Sequence, residues 1–184
     1  MKKLGIITLF FISFYPLLSI AQNDNDCNIS INKKSIRFNS NLDVFLKSLG
    51  NDSFSVSADR NQIPKYIIGK LYCLIDTLAN KDEEWSSGCM QFEGIPKRQL
   101  LFHAINMQQN TFVIVYKKGG VGVSTFIIMM KLTNKGVLIN EQKNVEDIWI
   151  GSNSSFEGKD VLYLASFLEA NRYFDQLNTE YISY

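Results

Sequence analysis

Histidine and cysteine are scarce in this sequence, and that scarcity narrows the chemistry it can perform. His103 is the one histidine, and Cys27, Cys73 and Cys89 are the three cysteines, in 184 residues. No CxxC or HxxxH spacing occurs, so a zinc site would have to be built from scattered single ligands. A serine triad would have to recruit His103, yet residues 119–124, which read Gly-Gly-Val-Gly-Val-Ser, lack the spacing of a nucleophile elbow. A cysteine–histidine pair is no better supported, because Ser87-Gly88-Cys89 opens no helix whose N-terminus would lower a thiol pKa. Asp82-Glu83-Glu84 has neither the glycine nor the spacing of a calcium loop and reads as a solvated charge run. The glycine cluster at 117–122 has no strand-to-helix context in which to cradle a phosphate. No catalytic residue, metal ligand or cofactor is assigned on these grounds. His103, set among apolar neighbours with Leu101, Ile105 and Met107 on its strand face, reads as a hydrogen-bonded core residue.

An excess of one charge is also missing. Lysine and arginine number 19 against 18 aspartates and glutamates, which offers little attraction for a nucleic-acid backbone or an anionic membrane. Long apolar runs are confined to the start. Met1-Lys2-Lys3 precedes an almost wholly apolar stretch at 4–20, and Ser19-Ile20-Ala21 places small residues where a signal peptidase reads. Residues 1–21 are therefore expected to be a signal peptide of bacterial form, cleaved to leave Gln22 first. Pro16 and the polar residues 22–26 argue against an uncleaved anchor, and Cys27 lies too far from Ala21 for a lipid anchor at that site. Removing 21 residues from 184 leaves 163, one domain's worth, with 22–28 as a mobile lead-in. Later apolar runs such as 126–130 have only the length of a strand.

An exported chain meets oxidising conditions, so three cysteines imply one disulfide and one remaining thiol. Cys73–Cys89 is the favoured pairing, because Cys27 stands in the polar lead-in. Closing that loop would stabilise the fold by roughly 3 kcal/mol on the chain-entropy model.

What is abundant is strand. Residues 98–140 hold three apolar runs, 100–107, 111–116 and 121–132, rich in Val, Ile, Phe and Thr. Polar or glycine-bearing loops at 108–110, 117–120 and 133–136 separate them, the pattern of an antiparallel meander. Further strands are expected at 137–140 and 145–151, an edge strand at 30–38, and a short one at 54–56. Along 121–132, Phe126, Ile128, Met130 and Leu132 alternate with Val123, Thr125, Ile127, Met129 and Lys131. Both sets are apolar at the centre, so this strand belongs mid-sheet with both faces covered.

Helices are expected at 42–49, capped by Gly50, and at 160–171, capped by Asp160. The stretch 63–78 spaces Ile63, Ile67, Leu71, Leu74, Ile75 and Leu78 helically, although a strand remains open for 66–78. The aromatic tail 173–184 is expected to pack on the domain. The fold class that results is α+β: a meander of about four to six strands packed against two or three helices, in a single domain.

Absent chemistry and surplus apolar surface favour a non-catalytic binding or inhibitor module, immunity-like, acting in the periplasm or outside the cell on a protein partner. Trp149, Trp85, Tyr116, Lys117 and Lys118 are the expected contact residues, because aromatic anchors beside loops dominate interfaces. Trp149 leads, since it precedes Gly151 and an Asn/Ser loop. No nucleic acid and no stable membrane anchor are expected, and self-association stays open. The alternative is an envelope-polymer hydrolase using paired carboxylates drawn from Glu93, Glu141, Glu146, Asp147 and Asp160.

Overall fold

The computed structural model describes residues 27, 29, 32–50, 53–133, 145–158 and 160–171. The leader at 1–21, the strand expected at 137–140 and the aromatic tail lie outside them. Helices α1 (Lys33–Arg37) and α2 (Leu42–Leu49) precede strand β1 (Ser55–Ser57), a 3-10 turn (Arg60–Gln62) and helix α3 (Lys65–Tyr72). Strands β2 (Arg98–Asn106), β3 (Thr111–Lys118), β4 (Ser124–Leu132) and β5 (Val145–Asn153) follow, then helix α4 (Val161–Ala170). The five strands form one antiparallel sheet in sequence order, a meander, with an α+β arrangement around it.

Alternation along the strands sends apolar residues to both faces, and helices cover each. On one face Leu100, Phe112, Ile114, Phe126, Ile128, Met130, Ile148 and Ile150 meet Ile63, Ile67 and Leu71 from the α3 region, with Leu74, Ile75 and Leu78 just beyond it. On the other, Phe102, Val113, Val115, Ile127, Met129 and Trp149 meet Leu42, Phe45 and Leu49 of α2 and Val161, Leu164 and Leu168 of α4. The apolar centre of β4 is thus covered internally. Helices α2 and α4 form as their sequences suggest: Gly50 N–H bonds the Leu46 carbonyl, and the Asp160 carboxylate accepts from Tyr163 N–H at 2.7 Å. For 63–78 the helical alternative is the one realised, but only through Tyr72; Leu74 and Ile75 then turn back on the Leu71 carbonyl and stay buried.

Three local expectations are overturned. The edge strand expected at 30–38 is not formed by its described part, 32–38: Asn32 Oδ1 accepts from Ser35 N–H at 3.1 Å and starts α1, which buries Ile36 and leaves Phe38 exposed. β4 begins at Ser124 rather than at 121, because β3 runs on through Lys118 and Gly119 packs against the loop at 86–87. A Cβ at Gly119 would lie 2.7 Å from Ser87 Cα, a distance no side chain tolerates. The register shift between Leu100 and Phe102 is a bulge at Leu101. It turns Leu101 toward the α2/α4 face with Phe102, while His103 and Ile105 face α3, so Leu101 and His103 do not share a face.

The disulfide is Cys27–Cys73, with Cα atoms 5.4 Å apart, and not Cys73–Cys89. Cys73 closes α3, where Ile29 packs on the same core and holds the lead-in beside it. Cys89 is the exposed free thiol, and its Sγ meets the Gly120 carbonyl at 3.2 Å.

Candidate functional site

The expected contact residues separate into core and surface. Trp149 is fully buried in the α2/α4 core, with Nε1 donating to Asn39 Oδ1 at 3.1 Å, and is corrected from contact residue to core. It sits opposite Met129 in mid-strand rather than at the sheet's end, because β5 continues through Asn153. Tyr116 is also buried, stacked on Phe126 with ring centroids 5.5 Å apart. Trp85, Lys117 and Lys118 remain partly exposed. Strand alternation sends Lys117 and Lys118 to opposite faces, so they do not act as a pair.

The hairpin between β3 and β4 gathers most of what remains. Register places Arg98 directly opposite Lys118 and Leu100 opposite Tyr116, on the face that α3 covers further along. Like charges facing each other across a ladder repel. The pair is held by what surrounds it. Arg98 is only 4% exposed, and its Nη1 donates to Asp76 Oδ2 at 2.8 Å, while the Asp76 side chain is 81% exposed. A carboxylate that stands mostly in solvent compensates a buried guanidinium only in part. The Arg98 Nε–H has no partner among the described residues.

Around this pair lies a cleft of about 270 Å³ lined by Asp76, Thr77, Gln91, Ile95, Pro96, Lys97, Arg98 and Lys118. Three cations therefore face one carboxylate. Burial, then the Arg98 charge, pushes the Lys118 ammonium below the ordinary lysine range; Asp76 offsets this and Lys97 adds to it. Burial likewise raises the Tyr116 hydroxyl far above an ordinary phenol, with Arg98 working against the rise. Lys118 is shared with a second cleft of about 300 Å³ over Gly119, Gly120, Val121, Gly122, Ser124 and Phe126. Its Nζ stands 5.7 Å from the Phe126 ring centroid, within cation–π range.

The loop at 81–97 closes over this end and is stitched to it. Gly119 N–H donates to the Lys97 carbonyl at 2.9 Å, Gly120 N–H to Ser87 at 3.2 Å, and Lys97 Nζ to the Cys89 carbonyl at 3.1 Å. Four apolar side chains stay outside: Met90, Phe92, Val121 and Val123, of which Val121 is fully exposed.

His103 lies elsewhere. Its Nε2–H donates to the Asp59 carbonyl at 3.0 Å and ties down the start of the 3-10 turn. Burial holds its pKa below the usual histidine value, against the Asp59 carbonyl and charge. The nominated carboxylates are dispersed. Asp160 caps α4, and Asp147 accepts from Asn41 and from Ile148 N–H. Glu93 and Glu146 are exposed, and Glu141 lies outside the described residues.

Asp76, Lys97 and Arg98 escaped the sequence reading. Their one visible signal was parity: Arg98 shares the inward face of Leu100, an unusual place for a cation. Among the described residues no helix is long and apolar enough to cross a membrane. No protein-family model matches the chain, and neither a curated protein nor a solved structure matches it.

Proposed function

We propose that this chain is an exported, non-catalytic binding or inhibitor module, immunity-like, that holds a protein partner against the β3–β4 hairpin end. One observation carries the reading: Met90, Phe92, Val121 and Val123 stand exposed on loops that are hydrogen-bonded together around a cationic cleft. Apolar tips around a charged cleft supply anchors and a complementary charge pattern, and the partner is expected to present an acidic surface. The contact residues become Phe92, Val121 and Lys118, with Trp85 and Lys117 at the rim; Tyr116, stacked on Phe126, supports them from within, and Trp149 belongs to the core. The periplasm or the exterior is the proposed location, and the Cys27–Cys73 bond is compatible with an oxidising compartment.

The test is affinity capture from the producing organism's envelope fraction with three baits: wild type, a Phe92→Asp/Val121→Asp variant and a Met107→Asp control. Met107 is exposed at the β2–β3 turn, at the other end of the sheet from the hairpin. The expected result is a protein retained by wild type and control and lost from the hairpin variant. Equal retention by all three baits refutes the hairpin as the contact surface. Turnover of an envelope polymer by the purified chain refutes the non-catalytic reading and restores the hydrolase alternative.

A further inference from the structure

The disulfide closes a far longer path than the two residues it joins. Cys27 and Cys73 lie 46 positions apart, and the chain between them makes a full circuit of the sheet. It starts on the α3 face, where Ile29 and Ile36 enter the core. At Asn39–Asn41 it crosses the outer edge of β5: Trp149 Nε1 donates to Asn39 Oδ1 at 3.1 Å, and Asn41 Nδ2 to the Ile148 carbonyl at 3.0 Å and Asp147 Oδ1 at 2.9 Å. Leu42, Phe45, Leu49 and Phe54 then lie on the opposite face. β1 passes outside β2, and Ile63, Ile67 and Leu71 bring the chain back to the first face, where Cys73 meets Cys27. Strands β2–β5 therefore run through a covalently closed belt. We infer that the Cys27–Cys73 bond is its redox-operated clasp: a dithiol that opens the bond frees the arm bearing Ile29 and α1 to lift from the edge of β5 while the sheet stays folded.

The parts of the belt are not held equally. β1 has its ladder to β2. Helix α2 sets Leu42, Phe45 and Leu49 into one core, and the α3 region sets Ile63, Ile67 and Leu71 into the other. The arm contributes least. Helix α1 is five residues long and buries Ile36 alone, and Ile29 is only partly buried. Fixing roughly ten residues on so little apolar burial is near balance once the far end is untied. Helix α1 lies against β5, the last strand of the sheet, so a lifted arm uncovers an edge of the kind that folded sheets keep covered. The corner at Asn39–Asn41, bonded to β5, is the pivot.

The bond stands where a reagent reaches it, for Cys27 is exposed and Cys73 partly so. A thiolate of the dithiol attacks Cys27 Sγ, the more open sulfur, and expels Cys73 as a thiolate that takes up a proton. The second thiol of the reagent then attacks the mixed bond, frees Cys27 as a thiol and leaves the reagent as a cyclic disulfide. Two electrons and two protons pass from reagent to protein. An oxidising compartment keeps the clasp shut, and a dithiol reductant opens it.

The test is hydrogen exchange read by mass spectrometry on the full mature chain carrying Cys89→Ser, so that the reagent meets one bond only. The chain is compared oxidised, after dithiothreitol and after reoxidation, with Cys27→Ser as a permanently open form. Amides of α1 should exchange about tenfold faster or more in both open forms, and β5, which α1 covers, should follow to a smaller extent. Amides of β3 should stay protected at exchange times that already strip α1, and reoxidation should restore α1. Protection of α1 that is the same open and shut overturns the clasp. Loss of protection in α1 and β3 together also overturns it, because the bond would then hold the whole fold rather than one arm. A bond that dithiothreitol leaves intact in the folded chain overturns its redox operation. Should Cys27→Ser fail to fold, the reduced and reoxidised forms of the one chain decide the matter.

Discussion

Truncating Trp149 to alanine should cost the fold about 4 kcal/mol, and the structure supplies each part of that figure. The indole is completely buried in the layer between the sheet and α2 and α4. A buried tryptophan removes roughly 150–250 Å² from water, and burial is worth about 25 cal/mol per Å². Measured Phe or Trp to Ala changes in cores cluster at about 3–5 kcal/mol, because the surroundings collapse only partly into the cavity. The hydrogen bond from Nε1 to Asn39 contributes about 1 kcal/mol of this total. For a domain of this size the midpoint should fall by about 8–16 °C. Urea denaturation of wild type, Trp149→Ala and Trp149→Phe provides the assay, with the m-value checked for constancy. The phenylalanine variant keeps most of the apolar area and should lose about half as much. A loss under about 1 kcal/mol for the alanine variant, together with loss of partner capture, would refute the reasoning and return Trp149 to the surface.

Two further outcomes follow from the cysteines and the histidine. Unreduced, denatured mature protein should titrate a single thiol that peptide mapping places at Cys89; a bridge between Cys73 and Cys89 would contradict the structure. Replacing Cys27 and Cys73 together by serine should cost about 4 kcal/mol, the chain-entropy value for a separation of 46 residues. His103 binds its proton less readily folded than unfolded, so the unfolded chain takes up more protons as pH falls. Its contribution is therefore fully present above the unfolded value of about 6.5 and is lost as pH drops through the lower folded value. Urea midpoints at pH 5 and 7.5 should show that loss in wild type and a reduced loss in His103→Gln; an identical pH dependence would remove His103 from the account.

The sheet was legible because its strands announce themselves twice, by composition and by turns. Residues 126–130 are apolar at both parities, which placed the strand at 121–132 within the sheet, covered on both faces, before any helix was placed. Local signals at Gly50 and Asp160 marked a helix end and a helix start with equal clarity. What escaped was whatever depends on distant partners. Nothing in residues 30–38 says that Asn32 will cap a turn of helix. Cys27 looks detached from the domain until Ile29 is seen to pack beside α3. Trp149 misled because a tryptophan before glycine and an Asn/Ser loop resembles an exposed tip, and only the continuation of β5 to Asn153 places it mid-sheet. The site was half legible: the Lys117–Gly122 hairpin stood out, whereas Asp76 reaches it from 22 residues before Arg98.

The two layers that cover the sheet also differ in when they can close. The α3 side draws its helix from 63–78, ahead of every long strand, so that cover is already made when β2 leaves the ribosome. The opposite side waits for α4, the last described element. Until Val161, Leu164 and Leu168 arrive, Phe102, Val113, Val115 and Ile127 have α2 as their one helical cover, with Phe54 and Phe156 beside it. A chain growing from its N-terminus thus passes through an interval with one oiled face, the stage at which sheets stick to one another. Residues 160–171 act as the molecule's closing latch. Disruption of this helix would show first as poor yield and clumping during production, before any defect in recognition was noticed.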